Sequence, residues 1–140
     1  MPSPSQVADR LVAQAPDQAW LRALVDDLDR RLGTDPLQRF MDLWGLSGAE
    51  LGRMFGVSRQ AVSRWLEAGI PPGRVQAVAD LAEATELLSR YVKRERIPAV
   101  VRRPSEMLGG RSLYELALEG RHQEVHDAVA RMFDLRRVQP

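Results

Sequence analysis

Four polar side chains recur at helical spacing between residues 59 and 64 of this 140-residue chain: Arg59, Gln60, Ser63 and Arg64. The guanidinium group of an arginine can form two hydrogen bonds with guanine, and the amide of a glutamine can do the same with adenine. Serine hydroxyls and helix N-termini can contact phosphate oxygens. On one outer helix face, these residue types predict contact with a DNA duplex. The alternative is an ordinary solvated face of a helical hairpin.

The residues around this face predict two short helices joined by a tight turn. Ser47 and Glu50 have the spacing of a capping box, which opens the first helix. Gly56 can adopt the left-handed backbone that the turn requires, and Ser58 can cap the second helix. Gly52 lies where the two helices come closest, so a very small residue is needed there. The segment therefore predicts a helix-turn-helix, in which the N-terminal part of the second helix enters the major groove.

The predicted DNA-contact set adds the two capping serines to the polar face. It consists of Ser47, Ser58, Arg59, Gln60, Ser63 and Arg64. Apolar side chains between these positions can close a core beneath the two helices, namely Leu51, Phe55, Val57, Val62 and Trp65. Each position in the stretch thus has a physical role in one and the same geometry.

The stretch Leu46–Leu66 resembles the Xre family of regulators, which share the Cro-like fold. The family pattern is Leu-Ser-Gln, Leu-Ala, Gly-Val-Ser and Val-Ser-x-Trp. Here Gly48 replaces the common glutamine, Gly52 the common alanine, and Leu66 the common glutamate after the tryptophan. The resemblance implies a four- or five-helix DNA-binding unit at about residues 35–94 that binds as a homodimer, as two half-sites require.

Composition and charge restrict the class of protein. Hydrophobic residues make up 44% of the chain and charged residues 28%, as in an ordinary folded protein. With no cysteine, neither a disulfide nor a thiolate metal site can form. No apolar run approaches the roughly 20 residues that span a bilayer, and the first residues lack the pattern of a signal peptide. We therefore expect a cytoplasmic protein with no membrane partner.

The net charge of +1 is distributed unevenly. Residues 1–50 carry five basic and eight acidic side chains, whereas residues 90–103 carry six basic side chains and one acidic. This asymmetry favours an anionic partner on one face, or else a solvated helix end.

Helical signals dominate outside the motif, and strand signals are nearly absent. Asp17 predicts the start of a helix that Gly33 ends, and Asp35-Pro36 predicts the start of the next. A long helix is expected from about residue 72 to residue 94, and Pro98 interrupts the pattern, leaving a linker or a turn of helix at 97–104. An apolar stripe on the N-terminal helix could pack on the core or form a dimer seam: Trp20, Leu24, Leu28 and Leu32.

A second informative stretch lies near the C-terminus. Pro104 fixes an entry turn, Gly109-Gly110 permits a tight backbone reversal, and Ser112 and Glu115 have capping-box spacing before a short helix. A final helix is expected from about residue 122 to residue 133. The alternative for these residues is a simple, well-capped helical hairpin.

This stretch resembles the toxin-binding domain of Xre/MbcA/ParS-type antitoxins over about residues 94–135. The residues in register are Pro104, Leu108, Gly109, Gly110, Arg111, Ser112, Leu116, Gly120 and Val125. Leu113 stands where proline is common, and Val100-Val101 where a Trp-Leu pair is frequent.

The resemblance implies a partner: a RES-domain toxin that degrades NAD, whose active-site cleft the antitoxin covers. It also implies that the complex represses its own operon through the helix-turn-helix. The residues expected to face the toxin are Leu108, Gly109, Gly110, Arg111, Arg131, Met132, Phe133, Arg136 and Arg137. For Phe133, packing onto the protein's own core is an equal alternative.

No constellation for catalysis or a cofactor stands out. His122 and His126 share one helix face, but the glutamate placement of a metalloprotease helix and a third histidine are missing. No serine has the setting of a nucleophile. We therefore expect neither an enzyme, nor a metal site, nor a cofactor.

The sequence thus predicts an all-α protein with a Cro-like helix-turn-helix domain followed by a small helical toxin-binding domain. The expected units are an N-terminal helical extension (1–34), the DNA-binding domain (35–94) and the toxin-binding domain (95–140). The expected function is that of an antitoxin that is a homodimer, forms a higher-order complex with its toxin and binds the operator of its own operon. The alternatives are a stand-alone Xre-type transcription regulator and a protein-protein adaptor with a degenerate helix-turn-helix.

Overall fold

Helices form all the regular structure in the part of the chain that is described, as the sequence predicts. The computed structural model describes the backbone of residues 1–138, and the side chains of these residues except 29–34 and 135–138. The α-helices are α1 (Pro4–Gln14), α2 (Gln18–Trp44), α3 (Gly48–Phe55), α4 (Arg59–Ala68), α5 (Val75–Tyr91), α6 (Ile97–Arg102), α7 (Leu113–Leu118) and α8 (His122–Val138). Single 3-10 turns occupy Pro72–Arg74, Arg94–Arg96 and Glu106–Leu108. Within the described residues, none of the helices combines the length and the apolar character needed to cross a bilayer.

Side-chain caps start α2, α3, α4 and α7 where the sequence predicts them. The Asp17 carboxylate accepts a hydrogen bond from the Trp20 backbone N–H at 2.8 Å and opens α2. Ser58 Oγ accepts from the Ala61 N–H at 3.1 Å and opens α4. Each cap satisfies a backbone donor that has no partner inside the helix, so these starts depend on residues three positions apart.

The predicted break between Gly33 and Asp35 is wrong. Helix α2 continues from Gln18 to Trp44 with Pro36 inside it. A proline removes one backbone hydrogen bond, but its fixed φ is compatible with a helix, and an interior glycine costs only about 1 kcal/mol. The residues after Pro36 bury one face of α2, with Leu37 and Trp44 fully buried, and this burial outweighs the local signals to stop.

The long helix predicted for residues 72–94 is shorter, because α5 ends at Tyr91. Of the two alternatives for residues 97–104, helix is the observed one, since α6 covers Ile97–Arg102. Pro98 lies in the first turn of α6, where a backbone N–H would have no partner inside the helix, so the lack of this group in proline costs nothing. Ile97 and Val101 are fully buried, so α6 is part of the core rather than a linker.

One hydrophobic cluster extends from Leu37 in α2 to Phe133 in α8. At its centre the Trp44 indole N–H donates to the Thr85 hydroxyl at 3.1 Å, which satisfies both polar groups in the interior. Helices α5 and α8 pack along each other. The core therefore continues across the predicted unit boundary at residues 94/95.

The N-terminal segment contributes little to this core. Helix α1 buries no side chain, and Trp20, Val25 and Leu28 on α2 are 41%, 54% and 46% exposed. Of the apolar stripe, Trp20 and Leu28 are thus largely exposed and Leu24 is half-buried, while the Leu32 side chain lies outside the described residues.

Candidate functional site

Helices α3 and α4 form a tight hairpin at the protein surface. Gly56 has φ = 66° at the end of α3, and the Val57 N–H donates to the Gly52 carbonyl oxygen at 2.8 Å. Phe55 packs edge-to-face on Trp65 with ring centroids 5.5 Å apart. The turn and the aromatic contact together hold the two helices against each other, and the turn lies between Phe55 and Arg59, where the sequence predicts it.

The structure brings the four polar residues of α4 together on one exposed face. Arg59, Gln60, Ser63 and Arg64 are all exposed, whereas Val62 and Trp65 on the opposite face are buried. None of the ion pairs found among the described residues involves Arg59 or Arg64. Two guanidinium groups and one amide are therefore available to an external ligand.

The two capping serines lie at the helix starts, as the sequence predicts. Ser47 Oγ accepts from the Glu50 N–H at 3.1 Å, and the Ser47 N–H donates to Glu50 Oε1 at 3.1 Å, so the capping box is complete. Ser47 and Ser58 are both exposed. Each hydroxyl accepts one backbone hydrogen bond and retains its own proton, which it can donate to an anion.

Glu50 also connects the hairpin to the C-terminal part of the chain. The Tyr114 hydroxyl donates to Glu50 Oε2 at 2.7 Å, and Arg102 Nη2 lies 3.6 Å from the same oxygen. The hydrogen bond from Tyr114 lowers the pKa of the Glu50 carboxyl group, and the same bond raises the pKa of Tyr114. Sequence reasoning assigned no role to Tyr114 or Arg102, because no local pattern indicates a partner about 60 residues away.

A second contact joins the other end of α3 to α8. The His122 ring stacks on Phe55 with ring centroids 5.0 Å apart. Its Nδ1 atom is buried without a hydrogen-bond partner, and burial lowers the pKa of His122. His126, one turn further along α8, instead places Nε2 3.0 Å from a carboxylate oxygen of Glu83, so the two histidines face different surroundings.

The Gly-Gly turn is a closed backbone loop. Ser105 and Arg111 form an antiparallel bridge, and the Gly110 N–H donates to the Ser105 carbonyl oxygen at 2.9 Å. Gly109 and Gly110 have φ of 66° and 82°, values that favour glycine. Arg111 points outward and pairs with Glu119 at 2.8 Å.

A groove of about 690 Å³ lies beside this turn. Its lining includes Leu108, Gly109, Arg111 and Arg131. Four of the residues expected to face a toxin therefore meet at one surface. Met132 is half-buried and lines a smaller adjoining cavity of about 90 Å³.

Phe133 does not belong to that surface. It is 4% exposed and stacks on Tyr91 with ring centroids 4.3 Å apart, so the core-packing alternative describes its position. Arg136 and Arg137 are on α8, and their side chains lie outside the described residues.

Comparison with solved structures identifies one similar fold. The chain superposes on a chain in the crystal structure of the M. tuberculosis MbcT–MbcA toxin–antitoxin complex with a TM-score of 0.56 and 23% sequence identity. The match covers 71% of this chain and 91% of the other. Neither the protein-family models nor the curated proteins yield a match. The chain therefore shares its all-helical fold with a component of a toxin–antitoxin complex.

Proposed function

We propose that this protein is the antitoxin of a type II toxin–antitoxin pair. In this proposal the α3–α4 hairpin is an Xre-type helix-turn-helix that binds the operator of its own operon. The Gly-Gly turn and the groove beside it bind a RES-type, NAD-degrading toxin and cover its active site. The observation that carries the proposal is the presence of both surfaces on a fold shared with a chain of a toxin–antitoxin complex.

The exposed face of α4 supports the DNA-binding part. Arg59 and Arg64 can pair with guanine and Gln60 with adenine, and none of the three is buried. The capped starts of α3 and α4 direct backbone N–H groups and serine hydroxyls outward, where a phosphate can accept from them. A homodimer would present two such faces to two half-sites.

The turn supports the protein-binding part. Its backbone is held rigid by the Ser105–Arg111 bridge, so little conformational entropy is lost when a partner binds. The adjoining groove carries both signs of charge beside the apolar side chain of Leu108, with Arg111 and Arg131 on its lining together with Glu124 and Asp127. Such a surface suits a partner that contributes complementary charges around an apolar contact.

Co-expression with the product of the neighbouring gene tests the partnership. The two proteins should elute together in size-exclusion chromatography as a complex larger than a heterodimer, and NAD consumption by the neighbour should stop in the complex. Arg111→Ala should weaken co-elution. Arg39→Ala is a matched control, because Arg39 is similarly exposed and also pairs with a glutamate, Glu86, but lies away from the turn. Elution of the wild-type chain without the neighbour would contradict the antitoxin role.

Affinity for DNA tests the other surface. The wild-type chain should bind a duplex that covers the region upstream of its own gene, and the logarithm of the binding constant should fall linearly with the logarithm of salt concentration. Operator binding without a toxin partner would instead support a stand-alone Xre-type regulator. One observation favours this second candidate: the Arg111 guanidinium group already pairs with Glu119 of the same chain. Absence of salt-dependent DNA binding would favour the adaptor.

A further inference from the structure

The two ends of α3 are both held by side chains from the C-terminal part of the chain. At the start of α3, Tyr114 and Arg102 contact Glu50. At its end, His122 stacks on Phe55. Since α3 carries the first capped terminus of the proposed DNA-binding surface, its placement depends on residues far from the hairpin in sequence.

The carboxylate of Glu50 has two separate tasks. Its Oε1 accepts from the Ser47 N–H at 3.1 Å and closes the capping box. Its Oε2 accepts from the Tyr114 hydroxyl at 2.7 Å. The Glu50 side chain therefore links the start of α3 to Tyr114 in α7. A hydrogen bond to an ionised acceptor is about twice as strong as one between neutral groups.

Arg102, the last residue of α6, contacts the residues that precede α3. Its Nη1 donates to the Trp44 carbonyl oxygen at 2.8 Å, and its Nη2 to the Gly45 carbonyl oxygen at 3.3 Å. Trp44 is the last residue of α2 and Gly45 is its C-cap, so both carbonyl groups lie just before Ser47 in the chain. The guanidinium group also lies over the Tyr114 ring, 4.8 Å from its centroid, which orients the hydroxyl toward Glu50.

We infer that Tyr114 and Arg102 are positioning residues for DNA binding, which hold the start of α3 and its Ser47 cap in the orientation that meets a phosphate. Neither residue needs to touch DNA in this role. The inference rests on the proposed DNA-binding function and extends it to residues outside the helix-turn-helix.

The variant Tyr114→Phe tests this role in the full-length chain, because it removes the hydroxyl and keeps the ring under Arg102. Its affinity for the duplex upstream of its own gene should fall by up to about tenfold, under conditions in which thermal unfolding shows the variant to be folded. Hydrogen exchange of the Glu50 backbone N–H, which the Ser47 cap protects, should accelerate by a similar factor. Tyr91→Phe is the matched control, since within the described residues its hydroxyl forms no hydrogen bond, and it should change neither quantity.

A background variant separates positioning from general stability. In Glu50→Ala the acceptor is absent, so adding Tyr114→Phe should have no further effect on affinity. Equal losses in the wild-type and Glu50→Ala backgrounds would overturn the inference. So would a Tyr114→Phe protein with a lower Tm but unchanged DNA affinity and unchanged exchange.

The proposed function and this inference can fail separately. If the wild-type chain has no affinity for the duplex, the DNA-binding proposal fails and DNA positioning fails with it. If the wild-type chain binds the duplex and Tyr114→Phe binds equally well, only the positioning role is rejected.

Discussion

The carbonyl oxygen of Val57 lies 2.6 Å from the position that a Cβ atom would occupy on Gly52. The Ser58 carbonyl carbon lies 3.4 Å from the same point. The atoms that approach Gly52 belong to the backbone of the turn, so they cannot rotate away as a flexible side chain could. The two helices of the hairpin are therefore closer than any residue with a side chain permits without a shift.

We expect Gly52→Ala to lower the free energy of unfolding by about 1–3 kcal/mol, the cost of forcing an extra methyl group into a packed contact. The better helix propensity of alanine offsets at most about 1 kcal/mol of this. Urea denaturation measures the difference. Gly73→Ala is the control, because a Cβ there would meet nothing within 4 Å. A Gly52→Ala protein as stable as the wild type would show that the hairpin relaxes freely.

Gln60→Ala should weaken binding to the operator by about 1–3 kcal/mol and relax the preference for one base pair, because the amide can make two hydrogen bonds to adenine. The slope of affinity against salt should not change, since a neutral side chain releases no counterions. Binding titrations at several salt concentrations measure both quantities. The control is Gln76→Ala, because Gln76 is an exposed glutamine on α5 that donates a hydrogen bond to Asp80. This variant should bind the operator as the wild type does. An unchanged base preference in Gln60→Ala would remove Gln60 from the DNA-contact set.

Acid should destabilise the protein through His122. Burial lowers the pKa of His122 in the folded chain below its ordinary value of 6.5, with Asp80 opposing the shift and Arg74 adding to it. The unfolded chain therefore binds the proton more readily, and stability falls as the pH drops below about 6.5.

His122→Phe keeps an aromatic ring on Phe55 and removes the titrating group. Its stability should decline less than that of the wild type between pH 7.5 and 5, as measured by thermal unfolding across that range. At neutral pH the variant should be at least as stable, because the Nδ1 atom without a partner is gone. Parallel stability curves for the two proteins would rule out His122 as the source of the pH dependence.

Phe133→Ala should lower the free energy of unfolding by about 3–5 kcal/mol, as expected for a buried aromatic side chain. The free energy lost with the stacking contact to Tyr91 adds to the cost of the cavity. Chemical denaturation measures the loss, and Phe133→Leu should lose less because it fills part of the space. An unchanged stability together with lost toxin binding would instead place Phe133 at the partner surface.

Local sequence patterns predicted the elements that depend on neighbouring residues. The capping box of Ser47 and Glu50, the cap at Ser58 and the left-handed Gly56 each involve contacts within three or four positions, so the hairpin and its polar face were accessible from the sequence. The same type of reasoning failed at Gly33 and Asp35, where burial of the following residues keeps α2 continuous.

The sequence by itself determined the all-helical class, the starts of α2, α3, α4 and α7, and which polar residues share the outer face of α4, because helical periodicity and capping are short-range. Only the tertiary structure decided that Tyr114 holds Glu50, that His122 stacks on Phe55 and that Phe133 is buried. These contacts join residues about 40 to 70 positions apart. They form only when the packing of α5 against α8 and of α3 against α7 brings their helices together, and no local propensity encodes that arrangement.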